Sequence, residues 1–219
     1  MPRIIDLGRH LEILKGINLI VGEGLCSNIY VLGKEDAVLV DAGVGNYANP
    51  VWPQLEEMGI GPEKVAGVIV THAHHDHVSG LFIIIEKTKP WVYIHGLAAK
   101  YVASHFGPKL ALVGDGDTVE TSLWPLDVIW TPGHTEGEIC LYASEQRILF
   151  SGDAVFPDGY YGRYEGDAAF LDTVKSLKRL TKLDVDIMLP GHGMPVYRNA
   201  GEHIKRAYEN ATGSPEYLK

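Results

Sequence analysis

The sequence predicts an α+β fold built as a four-layer sandwich from two successive β-then-α halves. In each half, apolar segments of strand length are followed by turns and then by helical segments with an apolar face. The 219 residues, 46% of them hydrophobic, are enough for one good core. No linker, low-complexity tract or clear repeat interrupts the chain. We therefore expect a single domain over residues 1–219.

The predicted elements follow in order along the chain. The first half has strands at 17–21, 27–32 and 37–41, a helix at 51–58, a strand at 66–70, a helix after Asp76, a strand at 91–95 and a helix at 97–105. The second half has strands at 127–131, 138–143 and 147–151, a helix at 168–181, a strand at 186–189 and a helix at 200–210. The helix at 168–181 has an apolar stripe that predicts a core face, formed by Phe170, Leu171, Val174, Leu177 and Leu180.

A cluster of metal-ligand residues follows the strand at 66–70. Segment 71–77 contains four histidines and Asp76, and imidazole and carboxylate groups suit zinc and related divalent ions. If the chain stays extended through His74, His72 and His74 project from the same side and can bind one ion together. Asp76 and His77 open a helical segment, so a turn after His74 would direct them to a different point. The segment therefore predicts two neighbouring metals.

Residues of ligand type also follow other apolar strands. His134, Asp153 and His192 each come directly after a glycine that lets the backbone turn sharply, and Asp41 ends an earlier strand. Each of these is a weak signal alone, because turns of this kind are common. Together with the histidine cluster they reinforce the prediction of a metal site.

Composition and charge argue against several classes of function. The net charge of −9, with no stripe of lysine and arginine, argues against nucleic-acid binding. No apolar run is long enough to cross a bilayer and the N-terminus lacks the apolar region of a signal peptide, so we expect no membrane association and a cytoplasmic location. Cys26 and Cys140 are expected to be buried free thiols.

The ordered set of motifs resembles the metallo-β-lactamase superfamily along nearly the whole chain. The matching elements are Asp41, His72-Ala73-His74-His75-Asp76-His77, Thr131-Pro132-Gly133-His134-Thr135, Ser151-Gly152-Asp153 and Pro190-Gly191-His192-Gly193. The resemblance implies an αββα sandwich with metals at one edge, between the two sheets.

The resemblance also implies that the protein binds two divalent ions, with zinc expected and iron or manganese as alternatives, and it implies which residues bind each ion. A first ion would be held by His72, His74 and His134, and a second by Asp76, His77 and His192, with Asp153 bridging the two. Asp41 would orient a ligand and tune its basicity. His75 falls at a variable position and is expected to point away from the metals.

Such a pair of ions supports hydrolysis, because ions that share a water lower its pKa towards about 7 and polarise a substrate carbonyl. Asp76 would orient the nucleophile or pass its proton to the leaving group. We predict a zinc-dependent hydrolase in which a metal-bridging hydroxide attacks a thioester or ester carbonyl. The expected partner is a small-molecule substrate, and a homodimer is left open.

The loop at 156–166 resembles the glyoxalase II (hydroxyacylglutathione hydrolase) branch. There a glycine, a basic residue, a tyrosine and Glu-Gly follow the bridging aspartate and contact the thiol carrier. By that match Arg163 and Tyr164 are substrate contacts, although the match needs a one-residue gap before Tyr164. The chain also ends soon after His192, where the full-length enzymes add a helical domain. We therefore expect a thioester, with glutathione as only one of the candidate thiols.

Two alternatives stay open from the sequence. A lactonase acting on acyl-homoserine or related lactones shares the histidine segment and uses a tyrosine near the carbonyl, a role that Tyr160 or Tyr161 would fill. A persulfide dioxygenase resembles glyoxalase II but uses a single iron, bound at the positions of His72, His134 and Asp153.

Overall fold

The computed structural model describes residues 3–102 and 109–214, which form two β-sheets with helices on their outer faces. The first sheet contains, in spatial order, β1 (Ile4–Asp6), β2 (Ile17–Ile20), β3 (Ile29–Leu32), β4 (Ala37–Val40), β5 (Val65–Val70), β6 (Trp91–His95) and β7 (Leu110–Val113). The second has the order β12-β11-β10-β9-β8, with β8 (Thr118–Val119), β9 (Leu126–Trp130), β10 (Ile139–Ala143), β11 (Ile148–Gly152) and β12 (Ile187–Pro190). The described α-helices are α1 (Val51–Glu57), α2 (His75–Lys87), α3 (Gly96–Ala99), α4 (Gly166–Leu180) and α5 (Ala200–Thr212).

Alternation along the strands creates the four layers. In β4, Val38 and Val40 point into the core between the two sheets, whereas Leu39 points outward into the core shared with α1 and α2. In β11, Phe150 faces the first sheet and Leu149 packs beneath α4 and α5. Both faces of each sheet are therefore buried, which explains why these strands are nearly continuous apolar runs. The predicted αββα sandwich is confirmed.

The direction of the central strands determines where the polar loops lie. β4 pairs in parallel with β5, and β11 pairs in parallel with β12. The carboxyl ends of paired parallel strands lie at the same edge of a sheet, so the residues that follow β4 and β5 are neighbours, as are those that follow β11 and β12.

The helix α4 confirms most of the predicted core stripe. Phe170, Val174, Leu177 and Leu180 are buried against the second sheet. Leu171 was predicted with them but is 49% exposed, and that part of the prediction is wrong. A step of one residue rotates a helix by about 100°, which carries Leu171 off the face that Phe170 and Val174 share.

Three strands were not predicted, namely β1, β7 and β8. Each has two to four residues, and such short segments carry no readable alternation. The helix predicted at 97–105 is observed as α3 over Gly96–Ala99, and positions 103–108, which include His105, lie outside the described residues.

Cys26 and Cys140 are buried free thiols, as predicted. None of the helices in the described part of the chain is long and apolar enough to span a membrane.

Candidate metal centre

The predicted ligand residues converge at one edge of the sandwich. The loop after β5 contributes His72, His74 and the start of α2, while the loop between β9 and β10 contributes His134. Asp153 follows β11 and His192 follows β12. The parallel pairing of β11 with β12 brings these two residues together, and the packing of the sheets places them opposite the loop after β5.

The first donor cluster consists of His72, His74 and His134, whose candidate ligand atoms all lie within 4.8 Å of one another. The His72 Nε2 and His74 Nδ1 atoms are 3.1 Å apart. The His134 ring centroid is 4.9 Å from that of His72 and 4.5 Å from that of His74. Three imidazoles thus surround one point.

The second donor cluster consists of Asp76, His77 and His192. The His192 Nε2 atom is 3.0 Å from Asp76 Oδ2 and 3.3 Å from His77 Nε2. The position of Asp76 in the first turn of α2 favours a carboxylate, because the helix dipole is positive at this end.

Asp153 lies between the two clusters. Its Oδ2 is 3.6 Å from His134 Nε2 in the first cluster and 3.5 Å from His192 Nε2 in the second. Its Oδ1 is 3.4 Å from His77 Nε2. One carboxylate therefore contacts members of both clusters, which is the placement that a bridging ligand requires.

The spacing of these atoms fits divalent ions. Ligands about 2.0–2.1 Å from a tetrahedral ion lie roughly 3.3 Å from each other. The donor atoms of the two clusters have separations of this size, for example 3.1 Å between His72 and His74 and 3.3 Å between His77 and His192. Two imidazole lone pairs at such distances repel each other unless a proton or a cation lies between them. In addition, the buried Nε2 of His134 has no hydrogen-bond partner in the described part of the chain.

Asp41 orients His77 from beneath the cluster. Its Oδ2 accepts a hydrogen bond from His77 Nδ1 at 2.8 Å, which fixes the ring with Nε2 facing the centre. The Oδ1 atom of Asp41 accepts a hydrogen bond from the Thr71 main-chain N–H at 2.8 Å. Asp41 adopts a left-handed backbone with φ of 61°, a strained conformation that the surrounding hydrogen bonds hold in place.

Thr71 was missed by the sequence analysis. Its hydroxyl donates a hydrogen bond to Asp41 Oδ2 at 2.8 Å and lies 3.1 Å from His72 Nδ1. Because the Thr71 hydroxyl donates its hydrogen bond to Asp41, its oxygen is free to accept a hydrogen bond from His72 Nδ1–H. This contact directs His72 Nε2 towards the first cluster. His134 is oriented in the same way, because its Nδ1 donates to the main-chain carbonyl of Arg163 at 2.6 Å.

The electrostatics of the centre favour a cation. Burial lowers the pKa of His72, and neighbouring imidazoles, His77 foremost, lower it further, so this ring is neutral. Burial would raise the pKa of Asp76, but the hydrogen bond with His192 and the charge of His77 outweigh it and lower the pKa to about 2. Burial would also lower the pKa of His77, yet Asp41 and Asp153 together hold it well above its ordinary value. The ionised carboxylates thus stabilise positive charge at this point.

Glu138 is a second residue that the sequence analysis missed. It is completely buried, and its Oε1 accepts a hydrogen bond from the Asp153 main-chain N–H at 2.8 Å. Burial, with the charge of Asp153 added, raises the pKa of Glu138 well above its ordinary value, so the side chain is a neutral acid. Nothing in the local sequence separates this residue from the exposed glutamate at position 136.

The remaining histidines lie outside the two clusters. His75 is exposed and belongs neither to the two clusters nor to the third candidate metal-binding group in the described residues, which is formed by His72, His77 and Asp153. His10 stacks on Tyr197 and His95 stacks on Trp130, which are packing roles.

The four residues predicted to contact substrate lie in three different places in the structure. Arg163 lines a pocket of about 550 Å³ that borders His74 and His134. Tyr160 is 70% exposed and lines a second groove beside His192. Tyr161 and Tyr164 are only partly buried but pack against the core between the second sheet and its helices.

Fold and site together define a two-sheet protein with a histidine and carboxylate centre suited to divalent metal ions. The model of the metallo-beta-lactamase superfamily matches residues 22–192, and the chain belongs to this superfamily. Among curated relatives, a hydroxyacylglutathione hydrolase of Salmonella arizonae is 33% identical over 165 residues, which cover 74% of this chain and 59% of that protein. A probable metallo-hydrolase of Methanocaldococcus jannaschii is 30% identical, over 78% of this chain and 90% of that protein.

Solved structures agree on the fold. A metallo-beta-lactamase family protein from Thermus thermophilus superimposes with a TM-score of 0.71 at 23% identity, covering 90% of this chain and 78% of its own. The present chain spans only about half to three fifths of the hydroxyacylglutathione hydrolases that it matches, with 50% of one and 59% of another.

Proposed function

We propose that this protein is a binuclear metal-dependent hydrolase that cleaves a thioester or an ester of a small-molecule substrate. The observation that carries the proposal is the placement of Asp153 between two complete donor clusters. Histidine nitrogens and carboxylate oxygens are the donors that zinc prefers in hydrolases, so we propose zinc as the ion. Bound ions would supply an activated water and polarise the carbonyl that is attacked.

The chain's own residues would prepare this reaction in three ways. Asp41 and Thr71 keep the Nδ1 atoms of His77 and His72 occupied, so that the opposite ring nitrogens face the centre. Asp76, with its pKa lowered to about 2, is ionised at neutral pH and can accept a hydrogen bond from the attacking water. The buried position of Asp153 limits competition from solvent for its two oxygens.

The pocket beside the first cluster supports a substrate that carries an anionic group. Arg163 lines this pocket together with Glu165 and with Glu136, which pairs with Lys100. The guanidinium of Arg163 has no ion pair or hydrogen bond within the described residues. An unpaired guanidinium at the mouth of a site is suited to a carboxylate of the substrate. Acyl thioesters of thiols that carry a carboxylate group, S-lactoylglutathione among them, satisfy this requirement.

The proposal is tested by thiol release from a panel of acyl thioesters with zinc-reconstituted protein. We expect release that is abolished in Asp153→Ala and that weakens chiefly through KM in Arg163→Gln for anionic thiols. Equal release by wild type and Asp153→Ala would overturn the mechanism. Absence of turnover with thioesters, simple esters and lactones alike would overturn the function.

A lactonase is the second candidate, favoured by the exposed Tyr160 beside His192. Proton release during the opening of acyl-homoserine lactones measures it directly. A persulfide dioxygenase would use one iron, whereas the complete cluster of Asp76, His77 and His192 supports two ions. Iron content and thiol-dependent oxygen uptake distinguish that activity.

A further inference from the structure

A second groove, of about 740 Å³, borders the metal centre on the side of His192. We call it the His192 groove. It is bounded by the turn after Phe156 and by the segment that follows His192, with lining residues that include Phe156, Pro157, Tyr160, Met194 and Pro195. The pocket that contains Arg163 borders His74 and His134 instead, so the two depressions approach the centre from different clusters.

The His192 groove differs chemically from the Arg163 pocket. No lysine or arginine lines it, and its most accessible large hydrophobic side chains are Tyr160, which is 70% exposed, and Met194, which is 47% exposed. An exposed aromatic ring beside a methionine is a surface that gains free energy when an apolar group covers it, and methionine adapts its shape to such groups. The only carboxylate in the lining, Asp158, lies beside His203.

The wall of the groove is held in a fixed conformation by the helix α5. Asp158 and Gly159 both have left-handed backbone conformations, with φ of 62° and 84°. The Asp158 main-chain N–H donates to His203 Nδ1 at 2.8 Å, and the Gly159 carbonyl accepts from Asn210 Nδ2 at 3.0 Å. A non-glycine residue persists in this conformation only where its surroundings fix it. The groove is therefore preorganised, and a ligand does not have to order its wall.

The groove is continuous with the reacting centre. The Phe156 ring lies 6.3 Å from the ring of His192, and the turn that carries it begins three residues after Asp153. A group seated against Tyr160 and Met194 would thus belong to a substrate whose carbonyl lies at Asp153.

We propose that the His192 groove is a substrate subsite for an alkyl or aryl group, separate from the subsite for the anionic group at Arg163. This inference rests on the proposed hydrolase function, because the occupant is taken to be part of the substrate that is hydrolysed. It predicts that the best substrates are bipartite, with an apolar acyl part and an anionic thiol or alcohol part.

The subsite is tested by binding, independently of turnover. NMR titration of zinc-loaded protein with 4-phenylbutanoate and with acetate compares two carboxylates that differ only in the apolar part. We expect the phenyl compound to bind more tightly by about tenfold, the effect of removing roughly half of the apolar surface of one ring from water in an open groove. The measured quantity is the ratio of the affinity for 4-phenylbutanoate to the affinity for acetate. In the double variant Tyr160→Ala/Met194→Ala this affinity ratio should fall towards one while the affinity for acetate stays unchanged.

The matched control is Tyr101→Ala, which removes an exposed tyrosine that lines the Arg163 pocket instead. It should leave the ratio unchanged. An unchanged ratio in the double variant, or an equal fall in the control, would overturn the subsite. If the double variant loses the preference for the phenyl compound but the protein hydrolyses nothing, the groove remains a binding site for an apolar group and only the hydrolase function is refuted. Hydrolysis with an unchanged preference in the double variant would refute the subsite and keep the hydrolase function.

Discussion

Gly191 occupies a position where any side chain would collide with two residues of the candidate metal centre, Asp153 and His77. A Cβ atom there would lie 2.3 Å from Asp153 Oδ1 and 2.8 Å from His77 Cε1. Ordinary contact begins at 3.4 Å, so in Gly191→Ala the carboxylate must move by about 1 Å. Metal sites tolerate displacements of only about 0.2 Å.

The expected loss of metal affinity follows from this displacement. Changes that merely disturb the partners of metal ligands cost roughly 10–100-fold in affinity, or about 1.4–2.7 kcal/mol. Gly191→Ala moves the ligands themselves and should cost at least that much. The metal-free protein should lose only about 1–3 kcal/mol of its free energy of unfolding, the usual cost of overpacking.

Gly193 provides a matched control two residues away. A Cβ atom there meets nothing within 4 Å, but its φ of 80° is in the left-handed region. Gly193→Ala should therefore cost roughly 1–2 kcal/mol of stability through backbone strain and leave the metals in place.

The assay is metal content by mass spectrometry after dialysis against a zinc buffer, together with thermal unfolding in zinc and in chelator. Wild type and Gly193→Ala should be stabilised by zinc to the same extent, because an ion that binds only the folded state raises its stability. Gly191→Ala should lose most of this zinc-dependent stabilisation against thermal unfolding. Zinc affinity equal to wild type in Gly191→Ala would refute the placement of Asp153 and His77 at the ion.

Three further predictions follow from individual contacts. His74→Ala should lose metal from the first cluster, whereas His75→Ala, at the neighbouring exposed histidine, should keep the wild-type metal content; loss of metal from the latter would contradict the ligand assignment. His203→Leu should speed hydrogen exchange of the Asp158 amide several-fold by removing its acceptor, and His203→Asn, which restores an acceptor, should slow it again; equal rates in all three proteins would show that the contact does not hold the turn. Glu138→Ala should cost about 1–3 kcal/mol in the free energy of unfolding, because a buried main-chain N–H loses its partner. Glu138→Gln should cost less than half as much, since a neutral acid and an amide offer the same acceptor, and chemical denaturation measures both variants.

The fold was predictable where local patterns are long enough. The strand β5 is a six-residue apolar run, and α4 repeats apolar residues at helical spacing over 15 residues, so both were found close to their observed bounds. The short strands β7 and β8 were missed, because they exist through pairing with β6 and β9 and not through any pattern of their own. Leu171 was misassigned because an unbroken apolar dipeptide does not indicate which member faces the core.

The site was predictable to the extent that it depends on residue type. The histidine cluster and the glycines before His134, Asp153 and His192 indicated candidate donors, and the resemblance to the superfamily implied how they divide between two ions. Thr71 and Glu138 were missed because their roles arise from hydrogen bonds to residues that are distant along the chain or hidden in the core.

The sequence by itself determined which chemical groups are present and how those of segment 72–77 are spaced, because short-range backbone geometry is local. Only the tertiary structure decided which donors face one another, since the parallel pairing of β4 with β5 and of β11 with β12 brings distant strand ends to one edge. Burial at that edge lowers the pKa of His72, whereas charged and hydrogen-bonded partners outweigh burial at His77 and Asp76, because the free energy of a charge depends on both the solvent and the partners around it.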